Sequence, residues 1–264
     1  MHRMPRDFLV AITYFTRLPL PAALARRIGH GPEGLDGAAA YFPAVGLLAG
    51  VVSTLIFLGF SAFLPLRLAV LLAMIGPILL SGAMHEDGLA DSCDGLGGGA
   101  TREDALRIMR DSRIGVFGAL GLALVLLLRF ESLAALPAAW LPALLLAAQP
   151  ASRFVAISLM RGLDYARAEG KAQPVAQQMP LARLLVAALF GLPLLLLLPW
   201  MLPLPLSTGL GLAAAILLAL ALLRWRLGAW LRRRLGGYTG DCLGMAQQFA
   251  EVLIYLTACA WISR

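Results

Sequence analysis

The chain has 264 residues, of which 60% are hydrophobic and only 14% charged, and its mean hydropathy is +0.81. Soluble domains are nearer half apolar and a quarter charged, so this composition excludes a water-soluble globular protein and makes the lipid bilayer its first partner. The net charge of +7 does not argue for nucleic acid. In a membrane protein the basic excess collects in cytoplasmic loops beside anionic lipid.

At the N-terminus, the segment MPRDFLVAITYFTRLPLP reads as an interfacial helix ending at Pro19 rather than a cleaved signal, because no small-residue cleavage site precedes Arg17. Apolar runs then predict an all-α, polytopic transmembrane helix bundle of about seven spans (six to eight). They fall near 41–60, 66–84, 115–136, 138–159, 183–203, 207–224 and 245–262. With a cytoplasmic N-terminus, the inside segments hold Arg3, Arg6, Arg17, Arg26 and Arg27, then Arg102 to Arg113, then Arg161, Arg167, Lys171 and Arg183, then Arg224 to Arg234. The outside segments hold only Arg67 and Arg264, which is the asymmetry the positive-inside rule demands. Residues 1–264 form a single membrane domain, and residues 85–113 form a cytoplasmic acidic and arginine-rich catalytic segment between spans 2 and 3. A homo-oligomer is left open. The three cysteines, Cys93, Cys242 and Cys259, have no metal-pair spacing and read as packing residues.

Residues 84–118 carry Glu86, Asp87, Asp91, Asp94, Glu103, Asp104 and Asp111, seven of the chain's 15 acidic residues. Carboxylates gathered between apolar runs are costly unless a cation or a substrate uses them. On a helix from His85 to Asp94, Asp91 lies about 40° to one side of Asp87 and Asp94 about 20° to the other. A shared face of that kind suits Mg²⁺, which takes a few carboxylates and completes its shell with water and substrate phosphates. Asp87, Asp91 and Asp94 are therefore the expected metal ligands. Gly95 and residues 97–99, all glycine, count against a long regular helix there. His85, Glu86, Asp87 and Asp111 are candidates for proton transfer.

Thr101 is placed to cap the next helix, with Asp104 three residues on. Arg107, Arg110 and Asp111 share a face of it, and together with Arg102 and Arg113 they provide guanidiniums suited to a diphosphate. The glycine-rich run 236–244 offers Thr239 and Asp241 as a second set of ligand contacts. In the spans, Ser152-Arg153 and Glu251 are ionisable or polar groups that are functional by default, and Arg153 is expected to pair with Glu251 or Glu131.

These motifs resemble the cobalamin synthase family (adenosylcobinamide-GDP ribazoletransferase). The matching pieces are FTRLPLP (15–21), YFPAVG (41–46), HEDGLADSCDG (85–95), RDSRIGVFG (110–118), Ser152-Arg153 and GGYTGD (236–241). The resemblance implies that adenosylcobinamide-GDP is joined to α-ribazole or its 5′-phosphate with release of GMP. It also implies a magnesium requirement and corrinoid-nucleotide and α-ribazole substrates. The arginine asymmetry places the acidic segment on the cytoplasmic side of the bacterial inner membrane, and Arg153, Thr239 and Asp241 are further candidate substrate contacts. Asp91-x-x-Asp94-Gly95 more loosely resembles the start of the CDP-alcohol phosphotransferase motif. A prenyltransferase would want two separate Asp-rich motifs. A cation transporter would want acids near the midplane of several spans, whereas most acids here lie at span ends.

Overall fold

The computed structural model describes residues 3–19, 21, 24, 35–167 and 179–263. Arg26, Arg27, Lys171 and Arg264, which entered the charge argument, lie outside the described residues. The described elements are α1 (Arg3–Phe15), α2 (Leu35–Ala38), α3 (Phe42–Ser61), α4 (Leu66–Ser81), α5 (Met84–Gly98), α6 (Arg102–Ile108) and α7 (Val116–Ala135). They continue with α8 (Leu141–Ser158), α9 (Leu181–Gly191), α10 (Pro193–Met201), α11 (Leu206–Leu235) and α12 (Gly240–Ile262). Short 3₁₀ turns lead into α3 and α8 and out of α8, and no strand occurs among the described residues.

Among the described residues six stretches are long and apolar enough to cross a membrane: Ala39–Ser61, Val116–Ala135, Ala138–Arg161, Leu181–Met201, Leu206–Leu235 and Gly240–Ile262. Ala39 and Ser81 line one cavity, yet the whole of α3 and α4 lies between them in sequence. The chain therefore leaves the cavity along α3 and returns along α4, which makes α4 the seventh crossing. The expected count of about seven spans agrees with this, and the predicted boundaries fall within a few residues of the helices. The exception is α11, which runs 30 residues, about three turns past its expected end near Arg224.

Large apolar side chains such as Leu124, Leu185, Leu189, Leu218 and Trp225 point outward and exposed, as lipid-facing residues do. The central helix is α8, buried along nearly its whole length. Lipid is as apolar as leucine, so close backbone approach rather than apolar burial holds such helices together. Gly46 and Gly50 of α3 lie against the backbone of α8, where an added Cβ would stand 2.7 Å from the Gln149 oxygen and 2.8 Å from the Leu146 oxygen.

The turn between α4 and α5 positions the site. Gly82 (φ 66°) and Ala83 (φ 60°) are both left-handed, and together they rotate the chain by 88°. Gly82 costs nothing in that conformation, whereas Ala83 carries the strain of a Cβ there. α5 therefore turns sharply away from α4 and packs against the first turns of α12 and α7. The helix runs through Gly95, Gly97 and Gly98 to residue 98, farther than those glycines suggested. Gly95 is packed against the Ala105 oxygen and Met109, so tertiary contact overrides weak helix propensity.

Candidate active site

α5 meets α12 at two glycines. A Cβ on Gly88 would stand 2.9 Å from the Asp241 oxygen, and one on Gly244 would stand 3.1 Å from the His85 oxygen. This crossing brings Asp241 beside Asp87 and Asp91. A second junction ties the loop after α8 to the loop before α12. There, the Ala166 N–H donates to the Tyr238 oxygen (2.8 Å) and the Tyr238 N–H to the Asp164 oxygen (2.9 Å). It places Arg167 next to Asp241, with Arg167 Nη2 donating to Asp241 Oδ2 at 2.6 Å.

The result is a cavity of about 1040 Å³ at the arginine-rich end of the bundle. Asp87, Asp91, Asp111 and Asp241 line it, with Arg17, Arg110 and Arg167 as the cations. The remaining wall is aromatic and apolar, with Tyr14, Phe15, Phe42, Tyr165, Ile157 and Met160 prominent. Asp91 is half-buried; desolvation, with the Asp241 and Asp87 carboxylates beside it, pushes its pKa up to about 7. Asp111 is the opposite case. Arg113 donates to its Oδ2 from Nη2 at 2.6 Å and to its Oδ1 from Nε at 3.0 Å, which holds its pKa down at about 2. A carboxylate that weakly basic is a poor proton acceptor near neutrality.

The acidic face expected on α5 is divided. Asp87 is exposed and Asp91 half-buried at the cavity, while Asp94 is buried and takes both oxygens elsewhere. It accepts the Gly115 N–H at 2.7 Å and the Gly118 N–H at 2.7 Å, capping the first turn of α7 from a neighbouring helix. Among the described residues no three His, Cys, Asp or Glu side chains are gathered to hold a metal by themselves.

The predicted cations are divided too. Arg110 reaches the cavity wall. Arg107 pairs with Asp104 at 3.0 Å on the exposed surface, and Arg113 is the clamp on Asp111. Arg102 donates to the Leu235 oxygen (2.7 Å) and the Ala166 oxygen (2.9 Å), fastening α6 to both loops that frame the cavity. Thr239 is fully buried and caps α12 by accepting the Cys242 N–H at 3.3 Å. Thr101 caps α6 as expected, accepting the Asp104 N–H at 3.1 Å.

His85 and Glu86 face different ways. His85 lines the cavity, stacks on Phe42 with ring centroids 5.3 Å apart, and keeps a buried Nε2 without a hydrogen-bond partner. Glu86 turns inward and accepts from Gln248 Nε2 at 2.8 Å. Behind it lies a buried polar layer in which Arg129 Nη2 lies 2.7 Å from Glu251 Oε1. Gln149 and Gln247 also donate to Glu251, at 2.6 and 2.8 Å. The expected partner of Arg153 is thus corrected. Glu251 pairs with Arg129 and Glu131 with Arg67. Arg153 instead donates to Gln149 Oε1 at 2.6 Å and sits 5.4 Å from the centre of the Phe42 ring.

Arg17, Tyr165 and Arg167 were not singled out for the site from sequence. Arg17 and Arg167 were legible only as charges of the arginine-rich side, since each is positioned by residues far away in the chain.

The fold and cavity define a multi-pass membrane protein that gathers acidic and arginine side chains at one end of its helices, in the manner of enzymes acting on phosphorylated substrates at a bilayer surface. The chain belongs to the family described as cobalamin-5-phosphate synthase, whose model matches residues 7–259. It is 47% identical over 263 residues to the adenosylcobinamide-GDP ribazoletransferase of Ralstonia nicotianae, covering 98% of this chain and 96% of that one. It is 46% identical over 257 residues to the protein of the same name from Ralstonia pickettii, covering 96% and 94%. It is 43% identical over 259 residues to that of Shewanella frigidimarina, again covering 96% and 94%. No solved structure matches the chain.

Proposed function

We propose that this chain is an adenosylcobinamide-GDP ribazoletransferase, catalysing the closing assembly step of cobalamin biosynthesis. It moves the adenosylcobinamide phosphate of adenosylcobinamide-GDP onto α-ribazole or α-ribazole 5′-phosphate and releases GMP. The observation that carries this reading is the convergence of Asp87, Asp91 and Asp241 with Arg110 and Arg167 on one cavity, in a chain related to such enzymes over almost its full length.

The donor set fits magnesium in the form Mg²⁺ usually takes, with two carboxylates and the rest of the shell from phosphate oxygens and water. Asp87 and Asp91, one helical turn apart on α5, would hold it; Asp94 is spent on α7. Such an ion would supply positive charge against the diphosphate and the leaving GMP. Arg110 and Arg167 lie on the same wall and bind the remaining phosphate oxygens by charge-assisted hydrogen bonds. A ribose hydroxyl oxygen of the acceptor bonds to the phosphorus carried by cobinamide, and the bond from that phosphorus to the oxygen of GMP breaks. One of the cavity carboxylates takes the hydroxyl proton; His85 Nε2 is itself buried, and burial with the Arg153 and Arg129 charges lowers its pKa well below the ordinary histidine value. Asp241, steadied by Arg167, fixes the position of that arginine. The arginine-rich side of the bundle is the cytoplasmic face of the bacterial inner membrane, where the nucleotide substrates are.

The test is an assay of the purified chain in proteoliposomes. Adenosylcobinamide-GDP, α-ribazole 5′-phosphate and Mg²⁺ should yield GMP and a coupled corrinoid in equal amounts, and chelation of Mg²⁺ should stop the reaction. Well-folded protein that forms neither product would overturn the assignment.

A further inference from the structure

The cavity has two chemically different ends. The diphosphate machinery occupies the end built from α5, the start of α12 and the loop after α8. Another part of its wall is the C-terminal end of α1 with the start of α3. There Tyr14 and Phe15 meet edge to face at 4.9 Å, and Phe15 lies against Phe42 at 4.4 Å with 33° between the rings. Those rings continue into His85. The wall presents flat apolar surface, the surroundings in which an aromatic base gains from stacking.

Beside it stands Arg17. Its position is fixed twice: its N–H donates to the Leu80 oxygen at 2.8 Å, and its side chain lies across Gly82, where any Cβ would collide with the guanidinium. Arg110 has an interaction partner within the protein and Arg167 holds Asp241. The Arg17 guanidinium is used in none of the ion pairs or side-chain hydrogen bonds among the described residues. It lines the cavity while exposed to solvent. A fixed cation with no carboxylate partner among the described residues, next to a wall of aromatic rings, matches a ligand with an apolar aromatic base at one end and a phosphate at the other.

We infer that the end of α1 is the acceptor subsite, with Tyr14 and Phe15 taking the base of the ribazole and Arg17 taking its 5′-phosphate. This rests on the reaction proposed above and adds to it which wall holds which substrate. Arg17 then makes the choice between free and phosphorylated acceptor. It does not touch the phosphorus under attack, so its effect is on binding.

The experiment uses the full-length chain in nanodiscs of phosphatidylcholine alone and of phosphatidylcholine with phosphatidylglycerol. KM is measured for α-ribazole and for its 5′-phosphate at saturating adenosylcobinamide-GDP. Loss of one charge-assisted contact is expected to raise the KM of the phosphorylated acceptor about tenfold relative to that of the free one in Arg17→Gln. Arg17→Lys should recover part of the difference. Tyr14→Leu and Phe15→Leu should raise both acceptor KM values together and leave the donor KM in place. The inference is overturned if Arg17→Gln shifts both acceptors equally or shifts the donor instead. It is also overturned if the effect occurs only in discs with anionic lipid, in which case Arg17 reads a headgroup phosphate. Thermal midpoints of the variants separate binding from misfolding. Equilibrium binding of α-ribazole 5′-phosphate to the wild type and to Arg17→Gln, without donor, decides the subsite even if coupled product never forms, in which case only the reaction assignment falls.

Discussion

Asp94 receives two N–H groups that α7 cannot satisfy within its own first turn, and each is a bond to a charged acceptor. Asp94→Ala leaves both amides without a partner, and about 2–4 kcal/mol of stability is expected to go with them; Asp94→Asn, which keeps one acceptor oxygen, should lose about half as much. Denaturation midpoints in detergent check this, and an unchanged midpoint in Asp94→Ala would remove the capping role. Asp111 supports a prediction in pH. Its pKa is lowered to about 2, so the folded protein holds it ionised wherever an ordinary aspartate is ionised, and whatever its pairing with Arg113 contributes is lost only as pH falls through that value. Rate profiles of the wild type and Asp111→Asn between roughly pH 5 and pH 9 should therefore have the same limbs at different heights. An acidic limb that disappears in the variant would show that Asp111 titrates in turnover. Both residues belonged to the acidic segment visible in the sequence, but their occupations were not legible there. The partners of Asp94 are amides 21 and 24 residues away, and a hydrophobic pattern says nothing about which amides a carboxylate will meet.

The elements were legible to differing degrees. Apolar runs reveal a lipid-spanning helix because hydrocarbon imposes a length, and α3, α4, α7 and α8 appear where that length predicts. The direction of α5 was hidden, because two consecutive left-handed residues set it and one of them is an alanine, which gives no sign of a turn. The pairing of Arg167 with Asp241 was hidden as well, since a bridge between two loops 74 residues apart creates it. The crossing of α5 over α12 depends on Gly88. Gly88→Val puts branched carbon against the Asp241 backbone, and the variant should insert normally yet lose turnover by about a hundredfold or more, because a shift near 1 Å in reacting groups costs that much. Normal rates in Gly88→Val would mean that the position of Asp241 is irrelevant to the chemistry.

For the molecule as a whole, counting α4 as a seventh crossing beside the six long helices predicts that the ends of α1 and α12 lie on opposite sides. A reporter fused after Arg264 should behave as periplasmic, and a cytoplasmic signal would mean that α4 and α5 together form a re-entrant hairpin. The buried layer around Glu251 joins α7, α8 and α12 through one carboxylate. Glu251→Ala strands the Arg129 cation and two amide groups, and it should destabilise the bundle by about 3–5 kcal/mol, read as a lowered unfolding midpoint. The exposed Arg67–Glu131 pair at the far end should matter far less.

The length of α11 has a consequence for the surrounding lipid. Its 30 residues make a rod about 45 Å long, against roughly 30 Å of hydrocarbon. The surplus lies on the arginine-rich side. There Arg232 donates to the Gly162 oxygen at 2.7 Å and Arg234 to the Gly99 oxygen at 2.8 Å, so the rod carries the segments that frame the cavity at a set height. A thicker membrane draws that rim down among the headgroups, and a thinner one lifts it clear. Turnover in nanodiscs of phosphatidylcholines of graded acyl-chain length is therefore expected to pass through an optimum where the apolar part of α11 matches the bilayer, and a rate indifferent to chain length would remove this role of α11.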